Sequence, residues 1–248
     1  MAETLVPSQV YRKYFVPLES NPEVFTELVH RLGVHESLEF EDVLSLDDPD
    51  LLSFLPRPVY ALILVFPTAV DYDEKIREDN SKYEKDDSHE AESTVLYFKQ
   101  TINNACGLYA ILHAVCNGEA RLWLAPNSTL DNIRQNALCS SVEETALALE
   151  DNEELERAYA EASQQGDTEA PVDPEQEVDH HYICFVKSHK NGHLYQLDGD
   201  RRQSIDLGPV PIIEDVLSDR CLDVIRGMIA DEGGNMNFSL MALVHPGL

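Results

Sequence analysis

The chain has 248 residues, enough for one large domain with a substantial buried core, and 43% of them are hydrophobic. Its formal net charge of −28 argues against nucleic acid or anionic membranes as partners, since phosphates need Lys and Arg to neutralise them, and is compatible with a basic protein partner. Five cysteines without disulfide or zinc spacing, an N-terminus without an apolar signal core, and a longest apolar run (Val59 to Phe66) too short for a bilayer together predict a soluble, cytoplasmic protein.

The first element follows "PLESNPEVFTELVHRLG". Asn21 suits a helix N-cap, Pro22 the first helical position, and Gly33 the stop. Val24, Phe25, Leu28, Val29 and Leu32 then share one face. A short helix is expected over Asp48 to Leu55. "PRPVYALILVFP" reads as a strand buried on both faces. The charged stretch 71–93 reads as a solvated loop or loose helix, and residues 94 to 100 as a short strand or an extended lead-in.

From Asn104 the pattern is helical, with Leu108, Ile111, Leu112 and Val115 at i, i+3, i+4, i+7 and Asn117-Gly118 as terminator. "STLDNIRQNALCSS" and "SVEETALALEDNEELERAYAEAS" predict further helices. "QQGDTEAPVDPEQEVD" predicts a flexible connection. "HHYICFVKSHKNGHLYQLDGD" reads as a hairpin, "PIIEDVLSDRCLDVIRGMIA" as an amphipathic helix, and "NFSLMALV" as a last strand. The class is α/β or α+β, with a central sheet flanked by helices.

"FKQTINNACGLYAILHAVCNG" (98–118) carries the chemistry. A thiol attacks as thiolate, and Cys106 opens a helix, where unpaired N–H groups and the macrodipole favour an anion. Gly107 leaves the adjoining backbone uncrowded. The Cys106 N–H and the side-chain amide of Gln100 could together hold a developing oxyanion. Cys116, Cys184 and Cys221, set among apolar neighbours, read as packing residues, and Cys139 as an exposed thiol without a base.

His113 is nearest in sequence, but nearly two helical turns place it about 10 Å along the axis, so a packed helix histidine is the better reading. The hairpin offers a partner. With Ser188–Asn191 as a four-residue loop, His181 lies opposite Asp198, and the aspartate can hold one imidazole nitrogen while the other faces the thiol. A two-residue turn at Asn191-Gly192 would instead pair His181 with Arg202. His180 is a rival, because neighbouring strand residues face opposite ways.

These segments resemble a known family. "KQTINNACGLYAILHAV", "VDHHYICFV" and "GHLYQLDGD" are similar to the active-site segments of the ubiquitin carboxyl-terminal hydrolases, papain-like cysteine proteases. "VPLESNPEVFTELVHRLG", "LPRPVYALILVFP", "GDTEAP" and "NFSLMALV" extend the resemblance along nearly the whole chain, in order, to the short single-domain members. The resemblance implies Cys106 as nucleophile, Gln100 in the oxyanion hole, His181 as general base, and Asp198 as its orienting carboxylate. It implies an αβα fold of α+β class: a six-stranded antiparallel sheet between helices, in one domain over 1–248, with a knotted backbone.

The resemblance also implies ubiquitin contacts at Pro17, Leu18, Glu19, Ser20, Asn21 and Pro22, and at Asn235, Met236, Asn237 and Phe238. A third set falls on Ser163, Gln164, Gln165, Gly166, Asp167, Thr168, Glu169 and Ala170. That stretch belongs to a crossover loop around 150–178 that arches over the active site and admits only small or unfolded leaving groups. The expected activity is thiol hydrolysis at the C-terminal glycine of ubiquitin, by a monomer that requires no metal or cofactor. The alternatives are action on a ubiquitin-like protein or ubiquitin binding without catalysis. A different Cys-His-Asp acyl transferase would need a site for a small acyl donor, for which no motif is present.

Overall fold

A computed structural model describes residues 11–67, 72, 76–78, 80–81, 94–167, 180–231 and 237–247. The chain opens with the two-residue strand β1 (Lys13–Tyr14) and helix α1 (Pro22–Leu32). The Asn21 side chain accepts the N–H groups of Glu23 and Val24, and Gly33 ends the helix at φ 110, a left-handed geometry suited to glycine. Strand β2 (Glu39–Asp42), helix α2 (Pro49–Ser53) and strand β3 (Ala61–Pro67) follow. Residues 94 to 101 are an extended lead-in to β4 (Ile102–Asn103), which pairs in parallel with β1.

Helix α3 (Cys106–Cys116) is buried along its full length rather than on one face. It gives way to helices α4 (Thr129–Cys139), α5 (Val142–Glu150) and α6 (Glu153–Ala162), each opened by a Ser or Asn side-chain cap. Then come β5 (His180–Lys187), β6 (His193–Leu197), β7 (Ile205–Pro209), α7 (Asp219–Asp231) and β8 (Ser239–Val244).

Six strands form one antiparallel sheet in the order β2-β8-β3-β5-β6-β7. The pleat of β3 divides the molecule into layers. Ala61, Ile63 and Val65 join the core built with α1, α3, α4 and α6, whereas Leu62, Leu64 and Phe66 join the core that includes Cys221, Leu222 and Ile225 of α7. This αβα sandwich matches the expected α+β class. Among the described residues no helix is long and apolar enough to cross a membrane.

Three expectations change. The region expected to be one amphipathic helix from Pro211 is helical only from Asp219. The Asp215 carboxylate accepts the N–H groups of Val59 and Leu217, and Ser218 caps Cys221, so the helix starts there. The crossover expected over 150–178 begins with α6, leaving 163–167 as non-helical chain, while 168–179 lie outside the described residues. The hairpin takes neither foreseen register. Ser188 pairs with His193 around a loop of His189–Gly192, and the ladder runs from Lys187↔Leu194 to Cys184↔Leu197. Gly192 takes the positive φ of 72 that closes the loop.

Candidate active site

Continuing that register would set Asp200 across from His181, with Asp198 two residues away. Because the pleat repeats every two residues, the displacement keeps Asp198 on the same face as His181. The two meet diagonally: His181 Nε2 lies 2.8 Å from Asp198 Oδ1. His181 is buried and His180 exposed, as alternation requires, so only the former faces the core.

Asp198 is fully buried and held on every side. The Tyr72 hydroxyl donates to its Oδ2 at 2.6 Å, the Asp200 N–H donates to Oδ1 at 3.0 Å, and Arg201 Nε lies 3.5 Å from Oδ2. The Tyr97 hydroxyl has the carbonyl oxygens of Asp198, Gly199 and Arg201 within hydrogen-bonding reach and braces the turn. Burial opposes ionisation of Asp198, but His181, Tyr72 and the Asp200 N–H outweigh it and bring the carboxyl down to about 2. Burial likewise opposes the imidazolium, yet Asp198 and then Asp200 prevail, so His181 holds its proton well above the ordinary histidine range. The pair is an ion pair in a dry setting.

Cys106 is the first residue of α3 and is nearly buried. No side chain caps this helix, which leaves its first N–H groups aimed at the site. Asn104, at a left-handed φ of 57, turns the chain from β4 into the helix. The Cys106 side chain reaches the His181 ring and, after the two aspartates, helps to raise its proton affinity. Gln100 is buried, its N–H donates to Gly199 O at 2.9 Å, and its Oε1 has no partner among the described residues. A Cβ on Gly199 would come within 2.8 Å of Gln100 Cβ, so this glycine lets Gln100 lie against the Asp198 turn.

Gly107 lies against Leu18, whose Cβ would be 3.4 Å from a Cβ built there, an ordinary van der Waals distance. Residues Pro17 to Pro22 thus border the start of α3. The Tyr182 hydroxyl donates to Leu18 O and that of Tyr159 to Val16 O, each at 2.8 Å, which pins the segment. The other expected contact segments converge on it. Gly166 lies against the Glu19 side chain, which a Cβ there would strike, and Ser20 Oγ donates to Ser239 Oγ at 2.9 Å, next to Asn237 and Phe238. Ser163, Gln164, Gln165 and Asp167 continue that rim, Gln165 Nε2 reaching Glu27 Oε1 at 3.0 Å. Thr168, Glu169, Ala170, Asn235 and Met236 lie outside the described residues.

His113 is, as expected, a core histidine. Its Nε2 accepts the Phe98 N–H at 2.9 Å, and burial drives its pKa down to about 3. Cys116, Cys184 and Cys221 are buried free thiols, Cys116 pushed up to about 12, and Cys139 is exposed. Sequence reasoning missed Tyr72, Tyr97 and Asp200. The two-residue spacing in Asp198-Gly199-Asp200 was a usable signal for the last; Tyr72 sits in a charged stretch that gave none.

The family model for ubiquitin carboxyl-terminal hydrolase, family 1, matches residues 15–230. Ubiquitin carboxyl-terminal hydrolase 3 of Arabidopsis thaliana is 34% identical over 236 residues, spanning 93% of this chain and 94% of that one. The human isozyme L1 is 34% identical over 227 residues, 92% and 96% of the two chains. The YUH1 hydrolase of Saccharomyces cerevisiae is 38% identical over 188 residues, 74% of each. A crystal structure of the Trichinella spiralis UCH37 catalytic domain bound to ubiquitin vinyl methyl ester is similar in fold, with a TM-score of 0.73 at 22% identity and 96% of both chains covered. The chain belongs to the ubiquitin carboxyl-terminal hydrolase family 1.

Proposed function

We propose that this protein is a cysteine-type hydrolase that removes small or unfolded adducts from the C-terminal glycine of ubiquitin. The observation that carries the reading is a buried imidazole held by Asp198 at 2.8 Å, with the Cys106 thiol against it at the uncapped start of α3. The thiolate attacks the glycine carbonyl carbon, and the Cys106 N–H and the Gln100 amide hold the oxyanion. His181 gives its proton to the leaving nitrogen, which departs as an amine and leaves a thioester. His181 then takes a proton from water, whose oxygen attacks the thioester and frees the thiol.

Residues Pro17–Pro22, Ser163–Ala170 and Asn235–Phe238 form the ubiquitin-contacting rim, and the stretch that follows α6, from 163 to about 178, is the crossover that limits the leaving group. The convergence of Leu18, Glu19, Gly166 and Ser239 beside α3 supports this assignment. The net charge of −28 supports a basic partner, five free cysteines support a reducing, cytoplasmic setting, and a single six-stranded sheet shared by both core layers supports one domain; the enzyme acts as a monomer. The test is a fluorogenic C-terminal amide of ubiquitin. Turnover by the wild type that vanishes in Cys106→Ala is expected; no turnover, or equal turnover by both, refutes the reading.

A further inference from the structure

The His181 imidazole meets a carboxylate at each nitrogen. Asp198 Oδ1 lies 2.8 Å from Nε2, and Asp200 Oδ2 lies 3.7 Å from Nδ1. Their settings differ: Asp198 is fully buried, whereas Asp200 keeps 40% of its side chain in solvent. Nδ1 is the nitrogen that the Asp198 bond leaves for the thiol. The turn from Asp198 to Arg201, which follows the end of β6 at Leu197, brings Asp200 there.

We propose that Asp200 is a positioning residue acting through His181: its charge on the thiol side of the ring sets the pH window in which the thiolate–imidazolium pair exists. This rests on the reading of Cys106 and His181 as the catalytic pair. Among the described residues, the other titratable or charged groups facing the pair are Asp198 on its own turn, Cys106 from α3, the Tyr72 hydroxyl from beyond β3, Arg201, and, on the sulfur side, the hydroxyls of Tyr159 and Tyr182. Phe66 of β3 adds an apolar ring at 6.2 Å between centroids. Tyr72 and Arg201 both address Asp198 Oδ2, whereas the Asp200 carboxylate faces Nδ1 at 3.7 Å, so Asp200 places its charge at that edge of the ring. A negative charge there favours the imidazolium and opposes the thiolate. It therefore displaces both limits of the window upward, translating it without widening it. Solvent exposure holds the displacement to about half to one pH unit.

Alkylation of Cys106 by iodoacetamide reads the pair directly and needs no ubiquitin. The rate is followed from about pH 4 to about pH 10 in a Cys139→Ser background, which removes the exposed thiol. Asp200→Asn and Asp200→Ser are compared with the parent. Asp223→Asn, a surface carboxylate paired with Arg226, controls for net charge. Both inflections are expected about half to one unit lower in the Asp200 variants and unmoved in the control. Inflections within about 0.2 unit of the parent, an equal displacement in the control, or a change only in plateau rate overturns the proposal. The ubiquitin-amide profile moves in parallel if the hydrolase reading holds. A parent that alkylates with these inflections yet hydrolyses nothing would refute that reading and leave the Asp200 role intact.

Discussion

Replacing Asp198 by Asn tests the centre of the site. The amide keeps the shape of the carboxylate and leaves an oxygen to accept from His181 Nε2, but it removes the charge. A second histidine in the same molecule shows what an imidazole does without that charge. His113 is buried, like His181, but has no carboxylate bonded to its ring, and its pKa is driven down to about 3. His181, bonded to Asp198, is instead raised above the ordinary value. Without Asp198 the imidazole moves toward the His113 case, with Asp200 retaining part of the stabilisation. Removing one partner of a buried ion pair costs about 3–4 kcal/mol, or a factor of about 10²–10³ in the active pair. Turnover of the fluorogenic substrate is expected to fall by that factor. Ubiquitin affinity, read by calorimetry, is expected to change by less than about threefold, because Asp198 is fully buried and out of reach of a partner. A kcat within about threefold of wild type, or matched losses in kcat and affinity, would refute the reasoning.

Tyr72→Phe keeps the ring that packs edge-on against Phe66 and removes the donor to Asp198 Oδ2; about 1 kcal/mol of stability and a several-fold loss of kcat are expected from denaturation and kinetics, whereas no change in either would exclude the tyrosine from the network. Gly199→Ala places a methyl 2.8 Å from Gln100 Cβ, so at least a tenfold fall in kcat with little change in ubiquitin affinity is expected, and full activity would show that Gln100 needs no fixed seat. His113 is held neutral in the folded state down to about pH 3, whereas the unfolded chain takes up its proton near pH 6.5. The unfolded state therefore binds more protons between these values, and stability from this group falls as pH drops, by about 1.4 kcal/mol per unit. Denaturant titrations of His113→Gln should show a shallower acid slope by that amount; an identical slope would place the proton elsewhere.

Local chemistry made α1 legible: Asn21, Pro22 and Gly33 are its cap, first turn and stop, and each works as its residue type dictates. Burial on both faces made β3 legible as an unbroken apolar run. Strand β2 was invisible because three of its four residues are acidic and only Phe40 turns inward. The 211–218 stretch misled because Ile212 and Ile213 suit an apolar helix face yet stand in solvent. In the hairpin, the Asn191-Gly192 turn signal and the four-residue loop each described part of the loop that forms, which is displaced by one position from the second. The resulting displacement of two along the facing strand is even, and that parity kept Asp198 with His181. Had it been odd, the same motif would have aimed the carboxylate at the opposite layer. Cys106 was legible from its place at the head of an apolar run, but Tyr72 and Tyr97 act through tertiary contacts that no local pattern records.

Helix α3 is enclosed on all sides, and it carries Cys106, the proposed nucleophile, on its first turn. Its amides can exchange with deuterium only when the whole molecule opens, so their protection should report the global unfolding free energy. The thiol is then mounted on the slowest-opening part of the protein, while the surrounding rim is stitched by side-chain bonds such as Ser20 to Ser239. Binding can remodel that rim without disturbing the anchor from which the sulfur is aimed.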